Sequence, residues 1–110
     1  MRDYNERLLD ILEAIERIDK YAAHGHVAFE HDELIQTWII HHLQIIGEAT
    51  SALPDNIREK YPEIPWSKII GMRNILVHTY FGIDVDVVWS VVVNDLPDLK
   101  QKIENVIREK

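Results

Sequence analysis

Apolar residues recur at helical spacing along almost the whole chain of 110 residues. In the first segment they lie three or four positions apart with charged residues between them: Leu8, Leu12, Ile15, Ile18 and Ala22. A helix turns by about 100° per residue, so this spacing places them on one side of an α-helix. Even "VDVVWSVVV", which is rich in β-branched residues, has its apolar positions in helical phase. The sequence therefore predicts an all-α fold.

Turn signals divide the first half of the chain into two long helices and one short one. The first helix is predicted to end near Tyr21–Ala23, with Gly25 in the following turn. The second starts near Glu30–Glu33, where early acidic residues suit the positive end of the helix dipole, and it ends before Pro54. A short connecting helix is expected around Asn56–Lys60 within a segment that contains three prolines.

Two further long helices are predicted in the second half of the chain. The third opens at "PWSKIIGM" and continues to Gly82, and the fourth begins with Asp84 as its N-cap. In the fourth helix the apolar residues keep the same helical spacing before and after Pro97, although proline inside a helix removes a backbone hydrogen bond. We therefore expect either a kink there or a new helix start capped by Asp95, and phase continuity favours the kink.

The second predicted helix is apolar over more than one face, which is typical of a helix at the centre of a bundle or at an interface. Its apolar residues are Ile35, Trp38, Ile39, Ile40, Leu43, Ile45, Ile46, Ala49 and Leu53. The chain shows no internal repeat, no low-complexity tract and no second domain. We expect one domain over residues 1–110, an up-and-down bundle of four main helices, which forms a homodimer through the second and fourth helices.

Composition excludes several functional classes. The sequence has no cysteine, so disulfides and thiolate chemistry are excluded. It has no apolar run of membrane-spanning length and no apolar signal segment, so we expect a cytoplasmic protein that does not span a membrane. The net charge of −7 argues against nucleic-acid binding through a broad basic face. Residues 51–80 contain four basic and three acidic residues, whereas residues 1–50 and residues 81–110 each contain more acidic than basic residues.

The histidines outside the third helix do not match a metal signature. His24, His26 and His31 surround the turn after the first helix, and we interpret them as solvated loop residues. His41 and His42 are adjacent and therefore point about 100° apart on a helix. We expect His41 to be exposed and His42 to be partly buried or at an interface. No spacing matches a zinc motif, so no metal or other cofactor is predicted.

The stretch "RNILVHTY", residues 73–80, places an arginine, an asparagine, a histidine and a tyrosine in the apolar third helix. Helical phase puts Tyr80 about 20° from Arg73, whereas Asn74 and His78 form a second pair about 100° and 140° away. Arg73 and His78 can therefore reach one ligand only if the helix ends near His78, or if a second copy of the chain supplies the other residue.

These residue types suit cleavage of RNA by the neighbouring 2′-hydroxyl. A histidine exchanges protons near neutral pH, and an arginine binds phosphate through two parallel hydrogen bonds. His78 could act as base or acid while Arg73 stabilises the charge that builds at phosphorus, without a metal ion. In the alternative interpretation His78 caps helix carbonyls and Arg73 forms a buried salt bridge, for example with Glu48.

The pattern Arg73-x4-His78-x-Tyr80 resembles the signature of the HEPN superfamily, and of its HepT-like toxins in particular. The resemblance extends to "IIGEA" (45–49), "YPEIPWSKIIGMRNILVHTYFGID" (61–84) and "VWSVVVNDLPDL" (88–99), in the same order and spacing. It covers essentially the whole chain.

The resemblance implies a HEPN-like helical bundle that forms a homodimer, with Arg73 and His78 of both subunits in one cleft. It implies a metal-independent endoribonuclease toxin of a prokaryotic type II or type VII-like toxin–antitoxin system, with RNA (tRNA or mRNA) as substrate. The implied antitoxin is a minimal nucleotidyltransferase that attaches AMP to Tyr80. The added phosphodiester would place negative charge and bulk beside Arg73.

Two residues would support this site. Asn74 is expected to orient His78, four positions further along the helix. Glu48 is expected either to pair with Arg73 or to contact the second subunit. Two other functions stay open: a non-catalytic subunit of a nucleotidyltransferase complex that binds a nucleotide or the partner, and a purely structural helical dimer.

Overall fold

The computed structural model describes residues 4–71 and 85–108, and these residues are almost entirely helical, with no strand among them. In chain order the helices are α1 (Tyr4–Ala22), α2 (His26–His31), α3 (Glu33–Ser51), α4 (Asp55–Lys60), α5 (described over residues 66–71), α6 (Val85–Ser90), a π-helical turn (Val91–Asp95) and α7 (Leu96–Arg108). The prediction of an all-α fold is confirmed. No helix within these ranges is long and apolar enough to cross a membrane.

The core lies between α1, α3 and α7. Helix α1 packs along α3, and α7 packs against α1. The apolar residues with no exposed surface come from the apolar stripes of these three helices: Leu8, Ile11, Ile15, Ile18, Ile39, Leu43, Ile46 and Ile103. Much of the wide apolar surface of α3 is therefore buried within the chain's own core, as in a helix at the centre of a bundle.

His24 lies in the turn after α1, as predicted, whereas His26 and His31 belong to a helix, so their assignment to a loop is wrong. All three side chains are exposed, as expected, but residues His26–His31 form α2. Gly25 precedes this helix with φ 96°, a conformation that glycine adopts without the steric cost of a side chain. Phe29 is only 1% exposed, so burial of one aromatic side chain holds this short helix against the bundle.

The junction between α2 and α3 is fixed by side-chain hydrogen bonds. The Asp32 carboxylate accepts from the backbone N–H groups of Leu34 at 2.9 Å and Ile35 at 3.3 Å, which makes Asp32 the N-cap of α3. The Gln36 side-chain amide donates to the carbonyls of Phe29 and Glu30, at 2.8 and 2.9 Å. The ends of both helices therefore have hydrogen-bond partners.

The last helix continues across Pro97 through a π-helical turn, without the new start that Asp95 could have capped. The backbone N–H of Leu96 donates to the carbonyl of Val91, five residues earlier instead of four. Proline has no N–H and its ring crowds the carbonyl of the preceding turn, and a wider turn accommodates both. The helix therefore keeps its apolar phase on both sides of the proline. The predicted cap at Asp84 lies outside the described residues.

Candidate functional site

Four of the predicted site residues lie outside the residues that the structure describes. Arg73, Asn74, His78 and Tyr80 all belong to the segment 72–84. The fifth, Glu48, lies on α3 and its side chain is exposed. An exposed carboxylate can meet a cation of a second chain without first losing a buried partner. The structure describes the residues on both sides of the segment 72–84, which carries the motif.

On the N-terminal flank, Trp66 holds the start of α5 against the end of α4. Trp66 is 8% exposed, and its indole N–H donates to the carbonyls of Arg58 and Tyr61, both at 3.0 Å. A buried indole needs such an acceptor, because an unpaired N–H away from water is costly. The neighbouring Tyr61 and Ile64 are buried as well. The helix that leads toward Arg73 therefore begins at a fixed point.

On the C-terminal flank, Trp89 joins α6 to α2. Its ring stacks on the ring of Phe29 with centroids 5.3 Å apart, and on the imidazole of His26 at the same distance. Val88, the preceding residue, is 4% exposed and packs into the core. Both described flanks of the segment 72–84 are thus held by tryptophan contacts.

A cleft of about 280 Å³ lies where α5 passes the π-helical turn. Its floor is apolar and includes Ile46 and Ile69, and its rim carries Lys68, Asn94 and Asp95. The Lys68 ammonium lies 3.3 Å from an Asp95 carboxylate oxygen. An apolar floor with a few polar groups at the rim is typical of small-molecule binding sites.

His42 has a structural role within α3. It is 3% exposed, and Nδ1 lies 2.7 Å from the Trp38 carbonyl, so Nδ1 carries the hydrogen that is donated to it. The Trp38 indole in turn donates to the Arg17 carbonyl of α1 at 2.9 Å. These contacts tie α3 to α1. His41 is exposed, as predicted.

The described residues also bring together a histidine and two carboxylates that sequence reasoning did not connect. His26 Nε2 lies 3.2 Å from Glu30 Oε1 on the same helix and 3.5 Å from Asp86 Oδ1 on α6. The spacing of His26 and Glu30 by four residues was a visible signal, since such residues share a helix face. Asp86 could not be connected with them, because only the fold brings it close.

Comparisons with known proteins agree over nearly the full length. The family model described as HepT-like, "Ribonuclease HepT-like", matches residues 11–106. The chain is 41% identical over 108 residues to a Thermococcus cleftensis protein named probable ribonuclease HepT, covering 96% of each chain. It is 38% identical over 106 residues to a Methanocaldococcus jannaschii protein described as a candidate RNase, covering 96% of this chain and 97% of the relative.

One solved structure has the same fold. It is the tri-AMPylated Shewanella oneidensis HEPN toxin in complex with MNT antitoxin, which matches with a TM-score of 0.72 and 25% sequence identity. The match covers the whole of both chains. The helical arrangement described above is therefore that of a known class of bundle.

Proposed function

Because the chain belongs to the HepT-like ribonuclease family of the HEPN superfamily, we propose that it is an endoribonuclease toxin of a prokaryotic toxin–antitoxin pair. The observation that carries this proposal is the match over residues 11–106, which contains Arg73, His78 and Tyr80 at the motif spacing. The ribonuclease names of the relatives and the toxin–antitoxin complex of the structural neighbour support both halves of it.

The proposed reaction is attack of a ribose 2′-hydroxyl on the adjacent phosphorus. The new bond from O2′ to phosphorus forms as the bond to O5′ breaks, which leaves a 2′,3′-cyclic phosphate and a 5′-hydroxyl. His78 accepts or donates the proton that moves in this step, because histidine titrates near neutral pH. Arg73 stabilises the negative charge on the phosphoryl oxygens, and Asn74 positions His78. No step requires a metal ion.

A homodimer would bring the two residues together. Arg73 and His78 diverge by about 140° on a regular helix, so a second copy can supply the missing group. Among the described residues, Leu34 on α3 is 81% exposed, Val87 on α6 is 55% exposed, and Val93 in the π-helical turn is 46% exposed. These apolar side chains give α3 and the last helix surface to bury in a dimer.

Light scattering on the purified protein at micromolar concentration is expected to give the mass of two chains. The physical reason is burial of the remaining apolar surface together with completion of the shared cleft. A monomer mass under these conditions would contradict the shared-cleft mechanism, while leaving the family membership untouched.

We further propose that a minimal nucleotidyltransferase neutralises the toxin by transferring AMP to the Tyr80 hydroxyl. The hydroxyl oxygen attacks the α-phosphorus of ATP, pyrophosphate leaves, and the tyrosine proton is released. Modified Tyr80 would carry a phosphodiester close to Arg73 in helical phase, which would capture the arginine and repel RNA. The tri-AMPylated toxin in the neighbouring structure supports this proposal, and three AMP units imply successive transfers in that protein.

Incubation with the partner nucleotidyltransferase and ATP is expected to raise the intact mass by whole AMP units and to suppress RNA cleavage. Tyr80→Phe lacks the acceptor oxygen, so it should gain no mass. Incubation with the nucleotidyltransferase and ATP should therefore not suppress its RNA cleavage. Tyr21→Phe, on α1, is the matched control and should be modified like wild type. Equal modification of Tyr80→Phe and wild type would assign the acceptor to another residue.

A second candidate function is a non-catalytic subunit that docks on the nucleotidyltransferase and presents Tyr80. The net charge of −7 favours it, because an acidic surface opposes RNA binding. The two functions differ in one outcome. A non-catalytic subunit would acquire AMP yet show no RNA cleavage in its unmodified form.

A further inference from the structure

We propose that His26, Glu30 and Asp86 form a binding site for a divalent transition-metal ion, with Zn²⁺ as the best-matched ion. The site joins α2 to α6 and includes none of the motif residues. It rests on the geometry of the described residues alone, and is independent of the proposed ribonuclease function.

The distances between the three side chains suit one shared cation. Their nearest ligand atoms all lie within 4.8 Å of one another, and the imidazole Nε2 is 3.2 Å from one carboxylate and 3.5 Å from the other. Zinc binds histidine nitrogen and carboxylate oxygen at about 2.0–2.2 Å, so two ligands at a tetrahedral angle lie about 3.3 Å apart. The two separations from the imidazole Nε2 are therefore close to the edge of a zinc tetrahedron, and the two carboxylates lie within 4.8 Å of each other.

The imidazole is held in place by packing, unlike a freely rotating surface histidine. The His26 ring stacks on Trp89 with centroids 5.3 Å apart and planes 24° from parallel. Trp89 stacks in the same way on Phe29, whose side chain is 1% exposed. An aromatic stack thus runs from the core to the ligand, and it directs Nε2 toward the carboxylates of Glu30 and Asp86. Such fixed orientation reduces the entropy lost when a ligand binds.

The ligand set selects the class of ion. A neutral imidazole and two carboxylates carry a formal charge of −2, which balances a divalent cation. Imidazole favours zinc and its transition-metal neighbours, whereas Mg²⁺ and Ca²⁺ prefer sites made of oxygen ligands. Three protein ligands leave a position for water. The three residues are exposed, so an ion can enter without any movement of the helices.

The bound ion would fasten the short helix α2 to the start of the last helix. Asp86 lies just beyond the segment 72–84, and Glu30 lies next to the buried Phe29. Metal binding would therefore stabilise the junction that follows the motif in the chain. A protonated His26 between the two carboxylates would give similar distances by charge attraction alone, and the experiment separates these two cases.

Titration calorimetry of the EDTA-treated and dialysed protein with ZnCl₂ tests the proposal near neutral pH. We expect one Zn²⁺ per chain and little heat from MgCl₂. Removal of one ligand in His26→Gln or in Asp86→Asn should weaken zinc binding by about tenfold or more. His31→Gln is the matched control, because His31 is exposed on the same helix outside the cluster, and its affinity should equal that of wild type.

Thermal unfolding gives a second readout. Excess Zn²⁺ should raise the melting temperature of wild type and of His31→Gln, because a ligand that binds only the folded state stabilises it. The rise should be lost in His26→Gln and Asp86→Asn, and circular dichroism confirms that these variants are folded. The absence of zinc binding, or equal binding by wild type, His26→Gln and Asp86→Asn, would overturn the proposal. RNA cleavage is not measured in either experiment.

Discussion

Replacement of His78 by alanine is expected to lower the rate of RNA cleavage by about 10²–10⁴-fold, the contribution typical of a general acid or base. Arg73→Ala should lower it by about 10²–10³-fold, because it removes a positive charge aimed at the developing oxyanion. Both rates are measured with purified, unmodified protein under single-turnover conditions. The large effect follows from chemistry, since alanine can neither move the proton nor hold the phosphate.

His31→Ala is the control for these variants, because it removes an exposed histidine of α2 that does not belong to the motif and should leave the rate unchanged. The double variant Arg73→Ala/His78→Ala adds a test of cooperation. Groups that act as one unit lose little more together than the more damaging single change costs. If His78→Ala cleaved RNA as fast as wild type, the catalytic assignment would be wrong.

Phe29→Ala is expected to lower the free energy of unfolding by about 3–5 kcal/mol, the usual cost of deleting a buried phenylalanine ring. The ring is 1% exposed, and it stacks on Trp89 of α6. Its loss removes one of the two ring contacts that Trp89 makes with α2 and leaves a cavity beneath α2. Urea unfolding monitored by circular dichroism measures the change, with a constant slope as evidence that the unfolding mechanism is the same.

Val27→Ala provides the matched control on the same helix. Val27 is 70% exposed, so its truncation should change the free energy of unfolding by no more than about 0.5 kcal/mol. The pair also distinguishes the two interpretations of residues 24–31. If these residues formed a solvated turn, as the sequence predicted, Phe29→Ala and Val27→Ala would have equally small effects.

The long helices could be predicted because their apolar residues repeat over many turns. Helix α1 ends at Ala22 and α4 spans Asp55–Lys60, both within a residue or two of the predicted bounds. In α3 the predicted apolar faces proved to serve mainly the chain's own core, where Leu43 and Ile46 have no exposed surface. Periodicity therefore identified the buried positions, but it could not decide which neighbour buries them.

Helix α2 and the π-helical turn could not be predicted for physical reasons. Six residues make fewer than two helical turns, so α2 is too short to show a period, and its place in the fold depends on one ring, Phe29. Around Pro97 the sequence showed that the apolar phase continues. It did not show that the backbone N–H of Leu96 donates to the Val91 carbonyl, which forms a wider turn that accommodates the proline without an N–H.

Some residues of the candidate sites could likewise be predicted from the sequence, and others could not. Residue chemistry and the family motif predict roles for Arg73, His78 and Tyr80, because these signals are local in the sequence. The cluster of His26 and Asp86 was not visible, because its members are joined only by the packing of α2 against α6. Local motifs can thus be found from sequence, whereas sites assembled from distant helices require the fold.

In the proposed reaction the unmodified protein cleaves RNA by attack of the 2′-hydroxyl, His78 moves the proton, and no metal ion is required. Its most direct test is the chemistry of the fragment ends after incubation of purified wild-type protein with RNA in EDTA. We expect 2′,3′-cyclic phosphate and 5′-hydroxyl ends, and His78→Ala should release such fragments about 10²-fold more slowly or slower still. Absence of cleavage by the unmodified protein, or fragments with 5′-phosphate and 3′-hydroxyl ends, would contradict it.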